Sequence, residues 1–450
     1  MSNIIVIMSD EHNPFYSSVY GHPFIKTPHM ERLAEQGTVF TNAYCPSPLC
    51  LPSRSAFLAG KRVHELQTYS NCNLNLNPDL PSFGKMLAEQ GVYTVYIGKT
   101  DVYAQGEKLG FSSMLAPKDR KQPGDVNFAR KPFTVRKGAS ERASFYGPKE
   151  NAGYVQDEKM IDIAVTWLDS TAKSLLQPWV MTVNVVNPHF PHYCKQEYWD
   201  LYPEGGDLPR YGAECESANH PYALDLRKHF ETDLFREEDV KGLRRGYLAC
   251  ISFVDDQIGR IVDAVERNGL SETTNIIYVS DHGDMLGKFG MWWKCSLYED
   301  SVRIPCIAAG PDFRKGTRIE TPVDLHDVQA AMFQAAGVVQ PEAWVGTPLQ
   351  EMEENDRNRV VFAEYHGHGT RSGAYMVRKG EWKLIYYMEA PHQLFNLRED
   401  PFELRNVYPE FAEKAMELES ELRQICNPER ENEKAHQFQE MQRKLLPTEL

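Results

Sequence analysis

Two short acidic clusters carry the clearest chemical signal in this chain. Asp10-Glu11 follows the apolar run 4–8, and Asp281-His282-Gly283-Asp284 follows the apolar run 276–280. In open α/β sheets ligands collect at the carboxyl ends of strands, so clusters far apart in sequence can meet there. Carboxylates with one imidazole suit a divalent cation. Oxygen-rich sites favour Ca2+ or Mg2+, and a histidine admits Mn2+. The alternative is that Asp10 and Asp281 merely cap loops or helices. A Ser-Asp pair at both strand ends, with Cys50 near the end of a third apolar run (39–44), argues against coincidence. Cys50 opens the segment Cys50-Leu51-Pro52-Ser53-Arg54. Taken alone, that segment reads as well as a buried structural thiol at a helix start as it does a reactive group.

The elements that must position these residues alternate along the chain. Strand-like runs at 4–8, 93–97, 179–186 and 276–280 are interleaved with helical patterns. One helix has Pro28 near its start and Gly37 at its end, the usual asymmetry. Ser82 reads as the N-cap of another, running through Met86 and Leu87 to Gly91. Longer helices are expected at 157–176 and 237–268. This βαβ alternation implies an α/β fold: a large mixed, mostly parallel sheet sandwiched by helices. Segments 104–150 and 195–232 have weak periodicity and read as long surface excursions near the ligand mouth. After about residue 350 the pattern changes to short antiparallel strands (360–364, 374–378, 382–388). A charged helix (410–423) and a polar tail follow, the tail reading as an exposed amphipathic helix. The expected division is therefore a catalytic domain at 1–350 and a smaller C-terminal α+β subdomain at 351–450, with the acidic stretch 351–358 at the boundary.

Composition narrows the partners. The chain has 450 residues, 42% hydrophobic and 25% charged, which is ordinary for a globular protein with a large core. A net charge of -14 argues against nucleic acid and anionic membranes, although a local basic pocket for a small anion stays open. No run approaches the roughly 18 apolar residues of a membrane helix. The N-terminal sequence has no basic leader, and nine scattered cysteines without a CxxC pair read as reduced thiols. A cytoplasmic enzyme is the expectation, with a homo-oligomer possible.

Cys50-Leu51-Pro52-Ser53-Arg54, followed by an apolar stretch ending Leu58-Ala59-Gly60-Lys61, resembles the signature of the formylglycine-dependent sulfatases of the alkaline-phosphatase superfamily. The resemblance spans most of the chain. Asp10 matches the family's first metal aspartate and Asp281-His282-Gly283 its second metal motif, with His282 typical of the choline-sulfatase and phosphonate monoester hydrolase branch. Lys99, in Gly98-Lys99-Thr100-Asp101, matches a pocket lysine. His189, in Pro188-His189-Phe190-Pro191, matches the family's PHxP histidine. Lys294, in Trp293-Lys294-Cys295, matches the second pocket lysine. The sequence departs from the pattern at Glu11, usually Asp or Gln, at Lys61, and at Asp101, where the family has histidine.

The resemblance implies a sulfuric ester hydrolase. A formylglycine-generating enzyme converts Cys50 to 3-oxoalanine (formylglycine). The hydrated aldehyde offers two hydroxyls on one carbon, one to attack sulfur and one to expel sulfate. One divalent metal, Ca2+ before Mn2+ or Mg2+, sits on Asp10, Glu11, Asp281, His282 and the modified Cys50. Arg54 holds the hydrate, Lys99 and Lys294 bind sulfate oxygens, and His189 or Asp101 moves protons. The substrate is a small-molecule sulfate ester, choline-like or carbohydrate. The C-terminal stretch from Met376 through Tyr387 resembles the choline-sulfatase branch. Trp292, Trp293 and Tyr298 either offer faces to a quaternary ammonium or are core aromatics. His366-Gly367-His368-Gly369 either reaches the pocket mouth or binds nothing. Two alternatives stand beside this reading: a phosphonate monoester or phosphodiester hydrolase using the same site, and a binding protein whose Cys50 is never oxidised.

Overall fold

The computed structural model describes residues 1–202 and 207–446. Residues 203–206, within the second predicted excursion, and the last four of the polar tail lie outside it. An eight-stranded sheet forms the centre. In chain order its strands are β1 (Asn3–Asp10), β2 (Gly37–Phe40), β3 (Tyr93–Lys99), β4 (Ser113–Lys118), β5 (Trp179–Pro188), β6 (Thr274–Ser280), β7 (Cys306–Ala309) and β8 (Thr317–Ile319). They lie side by side as β8-β2-β7-β6-β1-β5-β3-β4, and only β7 runs antiparallel to its neighbours. The mixed, mostly parallel sheet expected from the βαβ pattern is therefore present.

Every residue from Ile4 to Met8 is buried. Side chains alternate between the two faces of a strand, so both faces of the sheet are covered. The cover is helical. In chain order the helices are α1 (Pro28–Glu35), α2 (Cys50–Ala59), α3 (Phe83–Ala88), α4 (Gly153–Ser170), α5 (Glu237–Arg267) and α6 (Leu325–Ala336). α4 and α5 pack on β5, α6 on β1, and α1 on α5. Ser82 caps α3 as predicted, accepting the Lys85 N–H, but the helix ends at Ala88. α4 begins four residues earlier than the pattern suggested and stops at Ser170. The predicted strand 39–44 is broken in two. Its second piece, Ala43–Tyr44, leaves the main sheet to pair with Arg303–Ile304 and Val323–Asp324.

Beyond the sheet, β9 (Val360–Tyr365), β10 (Ala374–Lys379), β11 (Trp382–Tyr387) and β12 (Gln393–Asn396) form an antiparallel meander. Alternation divides its side chains. Phe362, Tyr375, Val377 and Leu384 pack with Leu418 and Leu422 of α7 (Ala412–Ile425), while Val361, Ala363, Met376 and Ile385 join the main core. The polar tail differs from expectation. It forms α8 (Pro428–Lys444), whose Ala435, Phe438, Gln439 and Gln442 make one buried face. Phe438 meets Tyr69 edge-on at 5.8 Å, and the Gln439 and Gln442 amides donate to the carbonyls of His366 and Leu74 at 2.8 and 2.7 Å. The tail is bound to the chain's own surface because its amides reach loop carbonyls that no strand satisfies. Among the described residues, no helix is long and apolar enough to cross a membrane.

Candidate active site

Four adjacent parallel strands, β6, β1, β5 and β3, end in Asp281-His282, Asp10-Glu11, Pro188-His189 and Lys99. The parallel register puts all four carboxyl ends on one edge of the sheet. Gly98 permits the tight approach of β3 to β5: its φ is +90°, and a Cβ there would stand 2.3 Å from the Asn184 carbonyl oxygen. The chain turns sharply at Glu11, a non-glycine residue with φ 71°. Its N–H donates to Asp281 Oδ1 at 3.1 Å, and its carbonyl accepts from the Tyr247 hydroxyl at 2.7 Å. Trp293 and Cys295, on either side of Lys294, also have positive φ, at 61° and 80°. Backbone strain of this kind persists where the surroundings fix it, and it clusters at functional sites.

Cys50 is the first residue of α2, a helix buried along its whole length. The partial positive charge of the helix N-terminus therefore falls on it. Its Sγ lies 3.3 Å from His282 Nε2, 3.3 Å from Lys294 Nζ and 3.8 Å from Asp10 Oδ1. Burial and Asp10 oppose ionisation of the thiol, but Lys294, Lys99 and His282 prevail and bring its pKa down to about 5. Arg54, one helical turn on, donates from Nε to Asp281 Oδ2 at 2.7 Å and from Nη1 to Asn184 Oδ1 at 3.3 Å. Ser53 Oγ donates to the Asp281 carbonyl at 2.6 Å. The first turn of α2 thus presents Cys50 and buttresses the acids behind it.

The donor set fits a divalent cation. Asp10, Cys50, Asp281 and His282 each present a ligand atom, all within 4.8 Å of one another, and all four residues are buried. Glu11 Oε1 is buried without a hydrogen-bond partner, as an oxygen awaiting a cation would be. Burial works against charge on Asp10, yet Lys99, His189 and Arg54 hold its carboxyl well below the usual range. Burial also opposes charge on His282, but Asp281 and Cys50 raise its pKa to about 9.

Lys294 Nζ donates to Glu11 Oε2 at 3.1 Å and to His189 Nε2 at 2.6 Å. His189 Nδ1 faces the Phe190 carbonyl, which can only accept, so this nitrogen carries the proton and Nε2 receives from Lys294. Lys99 Nζ contacts Asp10 and lies 3.4 Å from Asp101 Oδ2. Asp101 is tied to Arg120, whose Nη2 donates to it at 2.5 Å. Despite burial, Arg120 and Lys99 keep its carboxyl well below the usual carboxylate range. The predicted site residues therefore come together, with Asp101 locked in an ion pair. Trp292 and Tyr298 are core aromatics; the Tyr298 hydroxyl donates to Gln393 at 3.0 Å. Trp293 and His368 line a cavity outside Cys50, whereas His366 is buried against Glu364.

Arg120, Asn71, Asn184 and Arg142 also belong to the site's surroundings and were not singled out from sequence. Asn71 accepts the Leu51 N–H at 3.0 Å. Asn184 had a readable signal, a lone amide inside the apolar run 179–186. The others sit in segments without periodicity.

Comparison with known proteins agrees with this geometry. The family described as Sulfatase matches residues 2–338, and one described as N-sulphoglucosamine sulphohydrolase, C-terminal, matches residues 287–430. The choline-sulfatase of Rhizobium meliloti (strain 1021) is 29% identical over 425 residues, covering 90% of this chain and 82% of its own. Arylsulfatase K of Danio rerio is 28% identical over 466 residues, covering 98% and 86%. Among solved structures, the phosphonate monoester hydrolase of Agrobacterium radiobacter superposes with a TM-score of 0.76 at 21% identity, covering 94% of this chain and 95% of its own. A protein solved with its substrate D-glucosamine-2-N,6-O-disulfate gives 0.73 at 23%, covering 94% and 97%.

Proposed function

The chain belongs to the sulfatase family, and from that premise we propose that it hydrolyses a sulfate monoester at Cys50 after oxidation of that residue to formylglycine. One observation carries the reading. Cys50 Sγ stands 3.3 Å from both His282 Nε2 and Lys294 Nζ, between a buried set of metal-type ligands and a cationic pocket wall. In this reading the Cys50 Cβ becomes the aldehyde carbon and oxygen takes the place of sulfur, so Sγ stands in for one hydroxyl of the aldehyde hydrate. The hydrate's two hydroxyls on one carbon let sulfate be taken up through one and released through the other. A formylglycine-generating enzyme is the partner this maturation needs.

Asp10, Glu11, Asp281 and His282 would hold one divalent cation, which supplies Lewis-acid charge beside the sulfate. The oxygen-rich set suits Ca2+, and His282 leaves Mn2+ or Mg2+ open. Lys294 and Lys99 present ammonium groups to the sulfate oxygens, where charge grows as the S–O bond breaks. The Lys294–His189 pair can hand a proton to the leaving alkoxide, because Lys294 already donates to His189 Nε2. Arg54 holds Asp10 and Asp281 in place. Asp101, kept ionised by Arg120, anchors Lys99 and is a poor proton acceptor. In this reading residues 1–350 form the catalytic unit and 351–450 a subdomain packed on its edge.

The substrate alcohol is a small alkyl or carbohydrate group. A phosphonate monoester or phosphodiester hydrolase is the second reading, favoured by His282 and by the fold shared with the Agrobacterium enzyme. Turnover of matched aryl sulfate and aryl phosphonate esters by aldehyde-bearing enzyme separates the two. The sulfatase reading expects the higher kcat/KM on the sulfate, and a clear preference for the phosphonate would overturn it.

A further inference from the structure

A cavity of about 380 Å³ opens beside the nucleophile. Its lining runs from Glu11, His189 and Lys294 out to Arg142, Trp293 and His368. Four cations line it, and three are matched. Arg120 holds Asp101 at 2.5 Å, Arg136 holds Asp125 at 2.9 Å, and Lys294 holds Glu11 at 3.1 Å. Arg142 is the exception: among the described residues its guanidinium has no carboxylate partner and no side-chain hydrogen bond. It lies instead over Phe190 and Trp293, 5.1 Å from each ring centroid. Burial and the nearby Arg136 bring its pKa down to about 10, as expected for a charge held without a counter-ion.

Two further polar atoms belong to residues that line the same cavity. Trp293 and His368 are 2% and 3% exposed, and Trp293 Nε1 and His368 Nδ1 have no hydrogen-bond partner. Buried polar atoms are nearly always satisfied, so two unpaired ones on residues of one cavity wall leave that wall with unfilled hydrogen-bonding capacity. A guanidinium fork with free N–H groups is suited to an oxyanion. It is unsuited to a quaternary ammonium, because Arg142 already covers the Trp293 and Phe190 faces and repels a second cation.

Resting on the sulfatase reading above, we infer that this cavity binds a second anionic group on the substrate, a carboxylate or a further sulfate, with Arg142 as its specificity-determining residue. The favoured ester is doubly anionic, and a choline-type ester is disfavoured.

The test uses aldehyde-bearing, metal-loaded enzyme and four substrates: a neutral hexose monosulfate, a uronate monosulfate, a hexose disulfate and choline sulfate. The readout is the ratio of kcat/KM between anion-bearing and neutral esters. Wild-type enzyme is expected to favour an anion-bearing ester by roughly 10- to 100-fold, the scale of one charged hydrogen-bonded contact. Arg142→Gln is expected to remove most of that preference, chiefly through KM, and Arg142→Lys to restore part of it. Preference for the uronate identifies a carboxylate, and preference for the disulfate a second sulfate. A wild-type ratio near one, faster turnover of choline sulfate, or an Arg142→Gln variant that slows all esters in equal proportion would overturn the inference while leaving the sulfatase reading intact. Failure to turn over any sulfate ester would instead overturn that reading, and this inference with it.

Discussion

Asp101 occupies the position where the family pattern has histidine, and its neighbours decide what it can do. Arg120 grips its carboxylate and Lys99 approaches at 3.4 Å, so it stays ionised throughout the working pH range. Such a group fixes a lysine rather than exchanging protons. Asp101→Asn is therefore expected to lower kcat/KM by roughly 10- to 100-fold through misplacement of Lys99. The acidic limb of the pH–rate profile should remain, because Asp101 does not titrate there. Loss of that limb in the variant would restore Asp101 as a base. The acids were legible in the sequence because strand ends are, and strand ends gather ligands; Cys50, which opens a helix, was legible only through the Cys50-Leu51-Pro52-Ser53-Arg54 segment. Arg120 and Arg142 were not, because residues 104–150 have no periodicity to say which side chains turn inward. The same gap hid the pairing that changes the reading of Asp101.

Helix α1 illustrates how elements are held by contacts that no local pattern reveals. Pro28 and the hydrophobic spacing announce the helix, yet Thr27 at its N-cap makes no side-chain capping bond. Asp255, in the middle of α5, caps it from outside by accepting the His29 and Met30 N–H groups at 2.9 and 2.7 Å. The cap lies more than two hundred residues away, so only the packing of α1 on α5 could reveal it. Burial raises the Asp255 carboxyl to about 7, against the pull of the two N–H groups. A raised carboxylate pKa means that the folded state binds the proton more tightly than the unfolded chain. That contribution is fully present below about pH 4 and is lost as pH rises to about 7. Asp255→Asn, which cannot ionise, should thus gain thermal stability relative to wild type between pH 4 and 7, with no further change above. A Tm difference independent of pH would count against the buried, titrating cap. The long, strongly patterned elements were readable: β1, β3, β5, β6 and α5 fall close to their predicted spans, whereas β4, β7, β8 and α6 were not foreseen. Their ends were less so, since α3 and α4 stop where loops, not propensity, claim the chain.

At the scale of the whole molecule, the sheet order explains why residues 10, 50, 99, 189, 281 and 294 meet. Four neighbouring parallel strands deliver four of the segments to one edge, and α2 and the strained loop around Lys294 supply the other two and close over it. A buried cluster of Asp10, Glu11 and Asp281 is best satisfied when a cation is bound. A ligand that binds only the folded state raises stability by RT ln(1 + [M]/Kd), about 2.7 kcal/mol at a hundredfold excess over Kd. Ca2+ or Mn2+ is expected to raise Tm in proportion to log concentration, and a chelator to lower it. A Tm unmoved by both would contradict the metal assignment. The central claim is that Cys50 acts as an aldehyde. It is tested most directly by measuring, on the same intact preparations, the fraction of chains in which the Cys50 thiol has been exchanged for an aldehyde and the rate of sulfate release. The rate is expected to be strictly proportional to the aldehyde fraction and to vanish in Cys50→Ala. Full activity in chains that keep the thiol, or in the alanine variant, would contradict it.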